Sequence, residues 1–321
     1  MKKIGLLLVL CLAVAAAAAQ TDSAPAPVAD APAGTAPTSV TFPFERVQTP
    51  TTADLYCAGF ISPQLLPNAN YVAGGLQTPN TTKFVNGEII YLSGSGYTVG
   101  QQYTVLRELR NPNKHELFNG QDRLLKGLGQ PYEEMARVKI VDTRGKMALA
   151  EVEFGCDTIV PGDIAVPFVE KSPIAFHSPV RFDRFLPASN KTSGRIVMAR
   201  DFDSTLGTGM KVYMNVGTNQ GVKVGDYFRA VRLYSADLHD EADSLSFKAS
   251  TAEDTQKNPP AVDPNFLTRT KGAAIHIADL PRRAVGEIVV LSATASTSTG
   301  MIVYAPEDVH VGDGVELDEQ Q

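Results

Sequence analysis

From Thr52 onward the chain alternates short runs of Val, Ile, Tyr, Phe and Leu with Gly, Asn, Pro and Asp. That texture predicts short strands separated by turns. Ala148, Ala150, Val152 and Phe154 alternate with Leu149, Glu151 and Glu153, and Val212, Met214 and Val216 alternate with Tyr213 and Asn215. A period of two suits strands with one face in a core and the other in water. Arg144-Gly145-Lys146 separates Val138-Lys139-Ile140 from the Ala148 run, as a hairpin turn would. Helical periodicity is weak, and its best candidate is the short stretch from Leu117 to Lys126.

The strand pattern occurs twice. Gly87 to Tyr91 is followed by Gly100, Tyr103 and Arg107; Gly209 to Tyr213 is followed by Gly225, Phe228 and Arg232. The intervals from glycine to tyrosine, glycine to aromatic and glycine to arginine are the same in both copies. Each copy closes on a Gly-Asp turn, Gly162-Asp163 and Gly312-Asp313, and Gly225-Asp226 repeats that pair inside the second copy. Glycine supplies a positive φ, and the aspartate can bond the turn backbone. Gly59 to Ile61 and Gly194 to Val197 look like the opening strands of the two copies. The expected fold is all-β, with two related small barrel-like domains of SH3 or OB type at 52–170 and 190–318, joined by a linker at 171–189. The copies differ by insertions, Asn111 to Tyr132 in the first and a longer acidic loop at 235–278 in the second. Two insertions at one topological place suggest a variable, specificity-bearing face.

The ends and the cysteines set the compartment. Lys2 and Lys3 precede an unbroken apolar or small run from Ile4 to Ala19, which ends on Ala17-Ala18-Ala19. This is the pattern of a cleaved signal peptide at 1–19; an uncleaved anchor is the alternative, and Leu10 argues against lipidation at Cys11. Residues 20–51 are rich in Pro, Ala, Ser and Thr, which predicts a disordered spacer. Cleavage removes two lysines and no acid, taking the formal charge from −6 to −8. A net acidic chain without a basic stripe is not expected to bind nucleic acid. The mature chain holds no apolar run long enough to cross a bilayer as a helix. The absence of Trp argues against a sugar site built on indole stacking. Cys57 and Cys156 remain after cleavage and are expected to pair in an oxidising compartment. The closed loop of about 100 residues is worth roughly 4–5 kcal/mol in the chain-entropy model.

Candidate chemistry is sparse. Asp237, His239, Asp240, Glu241 and Asp243 crowd together without calcium-loop spacing and read as a solvated loop. His115 beside Glu116 and Asp201 near Asp203 are better read as a surface pair and a turn than as acid–base pairs. No G-x-S-x-G elbow or phosphate-cradling glycine loop occurs, and Gly207-Thr208-Gly209 lacks the third glycine of a dinucleotide fingerprint. No cofactor or metal is expected. Tyr91, Tyr103, Tyr213 and Phe228 read as core. Arg107 and Arg232, at matching strand ends, either bridge to acids within each domain or present matched cations at a rim.

The segment Val212-Tyr213-Met214-Asn215-Val216-Gly217, with Gly221, Gly225-Asp226 and Gly312-Asp313, resembles the small β-domain in the C-terminal region of flagellar assembly protein T. It is also similar to β-repeat regions that accompany LysM domains in bacterial envelope proteins, although no LysM motif is present. The resemblance implies a periplasmic, non-catalytic role near peptidoglycan or an outer-membrane assembly. The expectation is therefore an exported (periplasmic or secreted), non-enzymatic binding or scaffolding protein of the cell envelope, with an envelope protein or peptidoglycan as partner. The rivals are a periplasmic hydrolase with a site between the domains, where His115, His177 or Asp201 would converge, and a structural subunit of an envelope assembly. Sequencing of the exported protein is expected to start at Gln20; an intact leader would support the anchor instead.

Overall fold

The computed structural model describes residues 47–112, 115–177, 182–232 and 281–318, with the backbone of 255–256 and 275–276. The leader, residues 20–46 of the expected spacer and most of the 235–278 loop lie outside the described residues. Everything described belongs to one compact unit, Glu45–Gln321. No helix among the described residues is long and apolar enough to cross a membrane.

The first half contains helix α1 (Thr52–Tyr56), then strands β1 (Phe60–Ser62), β2 (Tyr71–Gly75), β3 (Ile89–Ser93) and β4 (Gln102–Glu108). Helix α2 (Gln121–Leu128) follows, then β5 (Gln130–Arg144), β6 (Met147–Gly155) and β7 (Ile164–Pro167). Strands β2, β3, β6, β5, β4 and β7 pair antiparallel in that order, and β7 returns to β2. The second half contains β8 (Ser193–Ala199), β9 (Thr205–Leu206), β10 (Lys211–Met214), β11 (Tyr227–Arg232), β12 (Thr255–Gln256) and β13 (Ile275–His276). It ends with β14 (Arg283–Ala293), β15 (Ser298–Tyr304), β16 (Val309–His310) and β17 (Gly314–Leu317). Here β8, β10, β15, β14, β11 and β17 form the closed ring. Taken in chain order, the ring strands of both halves connect first to second, fifth, fourth, third and sixth, then back to first. The fold is all-β, with two barrels of one topology. Closure removes the exposed edges that such short strands would otherwise present.

The repeated glycines explain how both rings close. In Val160-Pro161-Gly162-Asp163 the Asp163 N–H donates to the Val160 carbonyl at 3.2 Å, and Gly162 has φ +98°. In His310-Val311-Gly312-Asp313 the matching bond is 3.0 Å, and Gly312 has φ +106°. A positive φ at the third position defines a type II turn, where any side chain is strained. The same turn precedes β3 at Gly87, β4 at Gly100, β10 at Gly209 and β11 at Gly225. Each turn glycine also donates its N–H across to a neighbouring strand, which fixes the register of the strand that follows.

The matched arginines close on these turns. Arg107 places Nε and Nη2 each 2.8 Å from the Asp163 carboxylate, with Nη2 also 2.7 Å from the Thr158 carbonyl. Arg232 repeats this on Asp313 at 3.0 and 2.8 Å, with the Asp308 carbonyl at 2.5 Å. Each aspartate also accepts the N–H three residues earlier, Val160 at 2.8 Å and His310 at 2.7 Å. The rim-cation alternative is thereby replaced by the intradomain bridge. A two-pronged guanidinium fork on a buried carboxylate is stronger than a free surface cation would be.

Three expectations are corrected. Gly59 to Ile61 is not the partner of Gly194 to Val197: β1 lies outside the ring on β5, and β2 takes the first ring position. The expected spacer does not extend to residue 51, because the Gln48 N–H donates to the Val303 carbonyl at 2.8 Å and Thr51 caps α1. Strand β10 is not half-buried: Val212 and Met214 face the barrel core, yet Tyr213 on the other side is also fully buried. By contrast β6 follows its alternation, with Ala148, Ala150 and Val152 inward.

Tyr213 is buried because barrel 2 is covered from outside by parts of the first half. Leu55 and Ala58 join Tyr227, Val289, Leu291, Met301 and Val303, while Ile61 and Leu109 join Val197, Met198 and Tyr213. Gly59 permits this approach: a Cβ there would lie 2.5 Å from Tyr213 Oη and 2.7 Å from the Tyr132 carbonyl. The insertion from Asn111 to Tyr132 is part of the same cover. Its helix α2 presents Leu124, Leu125 and Leu128, and Phe118 joins the core of barrel 2 with Arg195 stacked over its ring at 4.9 Å. Burying such a ring contributes on the order of 2–3 kcal/mol. Cys57, at the end of α1, is joined to Cys156 with a Cα separation of 5.6 Å, which ties the cover to barrel 1.

Arg232→Met should cost about 3 kcal/mol in chemical denaturation, because Asp313 is left buried without its cation. Arg107→Met should cost less, since Arg107 is 31% exposed against 12% for Arg232.

Candidate functional site

Two polar regions stand out once the barrels are assembled, a seam between them and a strap along barrel 2. The seam grows from Glu133 and Glu134 on β5, which are nearly buried. Arg200 bridges to Glu133. Lys171 Nζ lies 2.6 and 2.8 Å from the Glu134 carboxylate and donates to the Leu55 carbonyl at 2.7 Å. The Gly59 N–H donates to the same carboxylate at 3.1 Å. Tyr213 Oη is buried beside this network without a hydrogen-bond partner among the described residues. Burial, reinforced by the nearby Glu133 charge, pushes the phenol pKa far up. A phenol kept neutral among paired charges is a packing element rather than an acid for catalysis.

The strap is the chain after β7. Ile174 and Phe176 pack on the outside of barrel 2 against Tyr227, Val289 and Leu291. The His177 ring lies 3.8 Å from the Tyr227 ring, and the His177 backbone N–H donates to Tyr227 Oη at 3.1 Å. Further along, Ser189 donates to Glu316, which Arg282 also holds, and Arg184 bridges to Glu307. Beside Tyr227 on the same strand, Arg229 pairs with Asp318 at 2.7 Å. Glu287 lies opposite Arg229 on β14, is 6% exposed, and leaves Oε2 without a partner among the described residues. Burial pushes its carboxyl up to about 7, with Asp318 adding to the rise and Arg229 opposing it.

Between strap and barrel rim runs a groove of about 580 Å³, bounded by Ser172 to Ala175, Lys223 to Tyr227, Lys191, Leu317 and Asp318. That volume is within the range of ligand sites, roughly 300–1,000 Å³. Both of its carboxylates are engaged: Asp226 accepts the Lys223 N–H at 2.8 Å within its turn, and Asp318 holds Arg229.

Compared with known proteins, the chain matches no family model and no curated relative.

The residues singled out from sequence are mostly structural. Gly87, Gly100, Gly162, Gly209, Gly225 and Gly312 make the ring turns, and Asp163, Asp226 and Asp313 brace three of them. Glu116 accepts the N–H groups of Asp122 and Gly120 at the start of α2; these bonds hold its carboxyl below the usual range. Asp201 and Asp203 are exposed in the turn after β8, and His115 is exposed. The acidic cluster from Asp237 to Asp243 lies outside the described residues. Among the described residues no group of His, Cys, Asp and Glu could hold a metal. Sequence reasoning missed Glu133, Glu134, Lys171, Arg200 and Glu287. The available signal was charge inside otherwise apolar strand runs, as in Glu287 before Ile288-Val289-Val290.

Because folded Glu287 holds its proton up to about pH 7, while an unfolded glutamate releases it near 4.5, the wild type loses stability as pH rises through that window. Glu287→Gln should therefore match the wild type near pH 4 and exceed it above pH 7 in urea titrations. A difference independent of pH would remove Glu287 as the source.

Proposed function

We propose that this chain is an exported cell-envelope protein that works by binding or scaffolding, presenting surfaces of a two-barrel body to an envelope partner. The observation that carries the reading is how the space between the barrels is used. Its charged groups are spent on one another, Arg200 on Glu133 and Lys171 on Glu134, in a packed seam. A hydrolase site between the domains needs an open cleft with convergent acid, base or nucleophile. Of the groups that would serve it, His115 and Asp201 are exposed, and His177 rests on Tyr227.

Two further observations support the reading. The disulfide suits an oxidising compartment such as the periplasm. The outer face of barrel 1 exposes Tyr71 and Met147 at 40% each, flanked by half-buried Tyr91 and Leu149 on paired strands. Aromatic and apolar side chains on an outer sheet face are characteristic of interaction surfaces. The insertion Asn111 to Tyr132 is already engaged on barrel 2, so the partner-facing surface is sought on exposed barrel faces.

Photo-crosslinking side chains at Tyr71 and Met147 of the exported protein should each yield a discrete adduct in the envelope, and the same probe at buried Tyr213 should yield none. Cleavage of purified wall fragments by the protein, with no adduct from either surface position, would overturn the reading.

A further inference from the structure

We infer that Arg229, Glu287 and Asp318 form a proton-operated clasp, which holds the end of β17 on barrel 2 while Glu287 is neutral and releases it when Glu287 is charged. The three side chains meet on the outer surface of the barrel. Phe228 and Ile288 are paired across β11 and β14 and both face the core. Their neighbours Arg229 and Glu287, also paired, therefore point outward side by side. Arg229 nonetheless gives its guanidinium to Asp318, at 2.7 Å, rather than to its cross-strand partner. Two carboxylates thus compete for one cation. Glu287 is left with Oε2 buried and no partner among the described residues. A neutral carboxyl is tolerated in that position, whereas a charged one lacks compensation.

Exposure decides which carboxylate yields. The Asp318 side chain is 29% exposed and follows the last residue of β17. Glu287 is 6% exposed within an eleven-residue strand. Once Glu287 loses its proton, Arg229 is the cation beside it, while Asp318 can turn into water at little cost. The guanidinium moves to Glu287 and the terminal contact is lost. Asp318 also donates its N–H to the Tyr227 carbonyl at 2.8 Å, and both residues border the strap groove, so release reshapes that rim. Burial, with the Asp318 charge adding to it, puts the ionisation at about pH 7; the clasp is closed below that pH and opens above it.

The titratable groups packed around the clasp are of different kinds. Tyr304 lies opposite Glu287 on β15, with Phe182 of the strap against its ring. Burial pushes the Tyr227 phenol pKa up, so it stays neutral. Glu316, opposite Arg229 on β17, is held by Arg282. The strap contributes His177, resting on Tyr227.

The test is an NMR titration of the mature, disulfide-bonded protein from about pH 5 to about pH 9, following the Glu287 carboxyl and the Asp318 amide. The carboxyl should titrate near pH 7, and the Asp318 amide should lose its heteronuclear NOE and its exchange protection over the same range. Glu287→Gln cannot ionise and should keep Asp318 ordered throughout. A transition that persists in this variant would point to His177 and overturn the clasp. Asp318→Asn removes the competing charge at a partly exposed position, so Glu287 should hold its proton about tenfold more weakly. Unchanged titration of Glu287 in Asp318→Asn would refute the competition. Should Glu287→Gln unfold, Asp318→Asn decides alone. A wild-type Asp318 that stays ordered to the alkaline end of the titration also overturns the clasp, whatever the Glu287 carboxyl does.

Discussion

The constraint on which the rest of the molecule depends is that barrel 2 is apolar on both its surfaces. Inside lie Val212, Phe228, Ile288 and Ile302; outside lie Tyr213, Val289, Leu291, Met301 and Val303, all essentially inaccessible to water. Each such side chain is worth roughly 1.5–3 kcal/mol when buried and would be a liability if left in water. A barrel can fill its own interior, but its outer surface must be covered by something else. That cover comes from α1, β1, the insertion around α2, and the strap, and it draws both halves into one compact unit. It also accounts for the disulfide, which fastens the covering segment to barrel 1 at its base.

Duplicate rings have consequently taken different roles. The fork of Arg107 on Asp163 and that of Arg232 on Asp313 are nearly superimposable in their bonds, and the six ring turns share one geometry. The outer surfaces have diverged. Tyr91 and Tyr213 are equivalent in distance from their turn glycines, yet Tyr91 is only partly covered and Tyr213 is sealed under Gly59. Barrel 2 is the hub around which the chain is wrapped; barrel 1 keeps a conventional outer face.

The charged seam makes the assembly specific. Glu133 and Glu134 would be costly to bury alone, since an uncompensated carboxylate in such a place loses several kcal/mol of hydration. Arg200 comes from the second half and Lys171 from the strap, so the charges are compensated only when both arrive in their native positions. Misplaced docking of the barrels leaves acids unpaired, which narrows the arrangements open to two otherwise apolar surfaces.

What the sequence determined by itself was whatever depends on near neighbours along the chain. Turn glycines, alternation in β6, the Arg144 hairpin and the equal glycine-to-tyrosine and glycine-to-arginine intervals are local, and they were enough to predict an all-β duplicated fold. The Cys57–Cys156 pair was legible because few alternatives existed. The tertiary structure alone decided which strand faces are covered twice. Periodicity reports that Tyr213 points away from its own core, but it carries no information about a β1 strand arriving from more than a hundred residues earlier. For the same reason the strap groove and the Glu287 site could not be foreseen. Their properties come from desolvation and charge pairing between segments distant in sequence, and those energies exist only once the chain has closed around barrel 2.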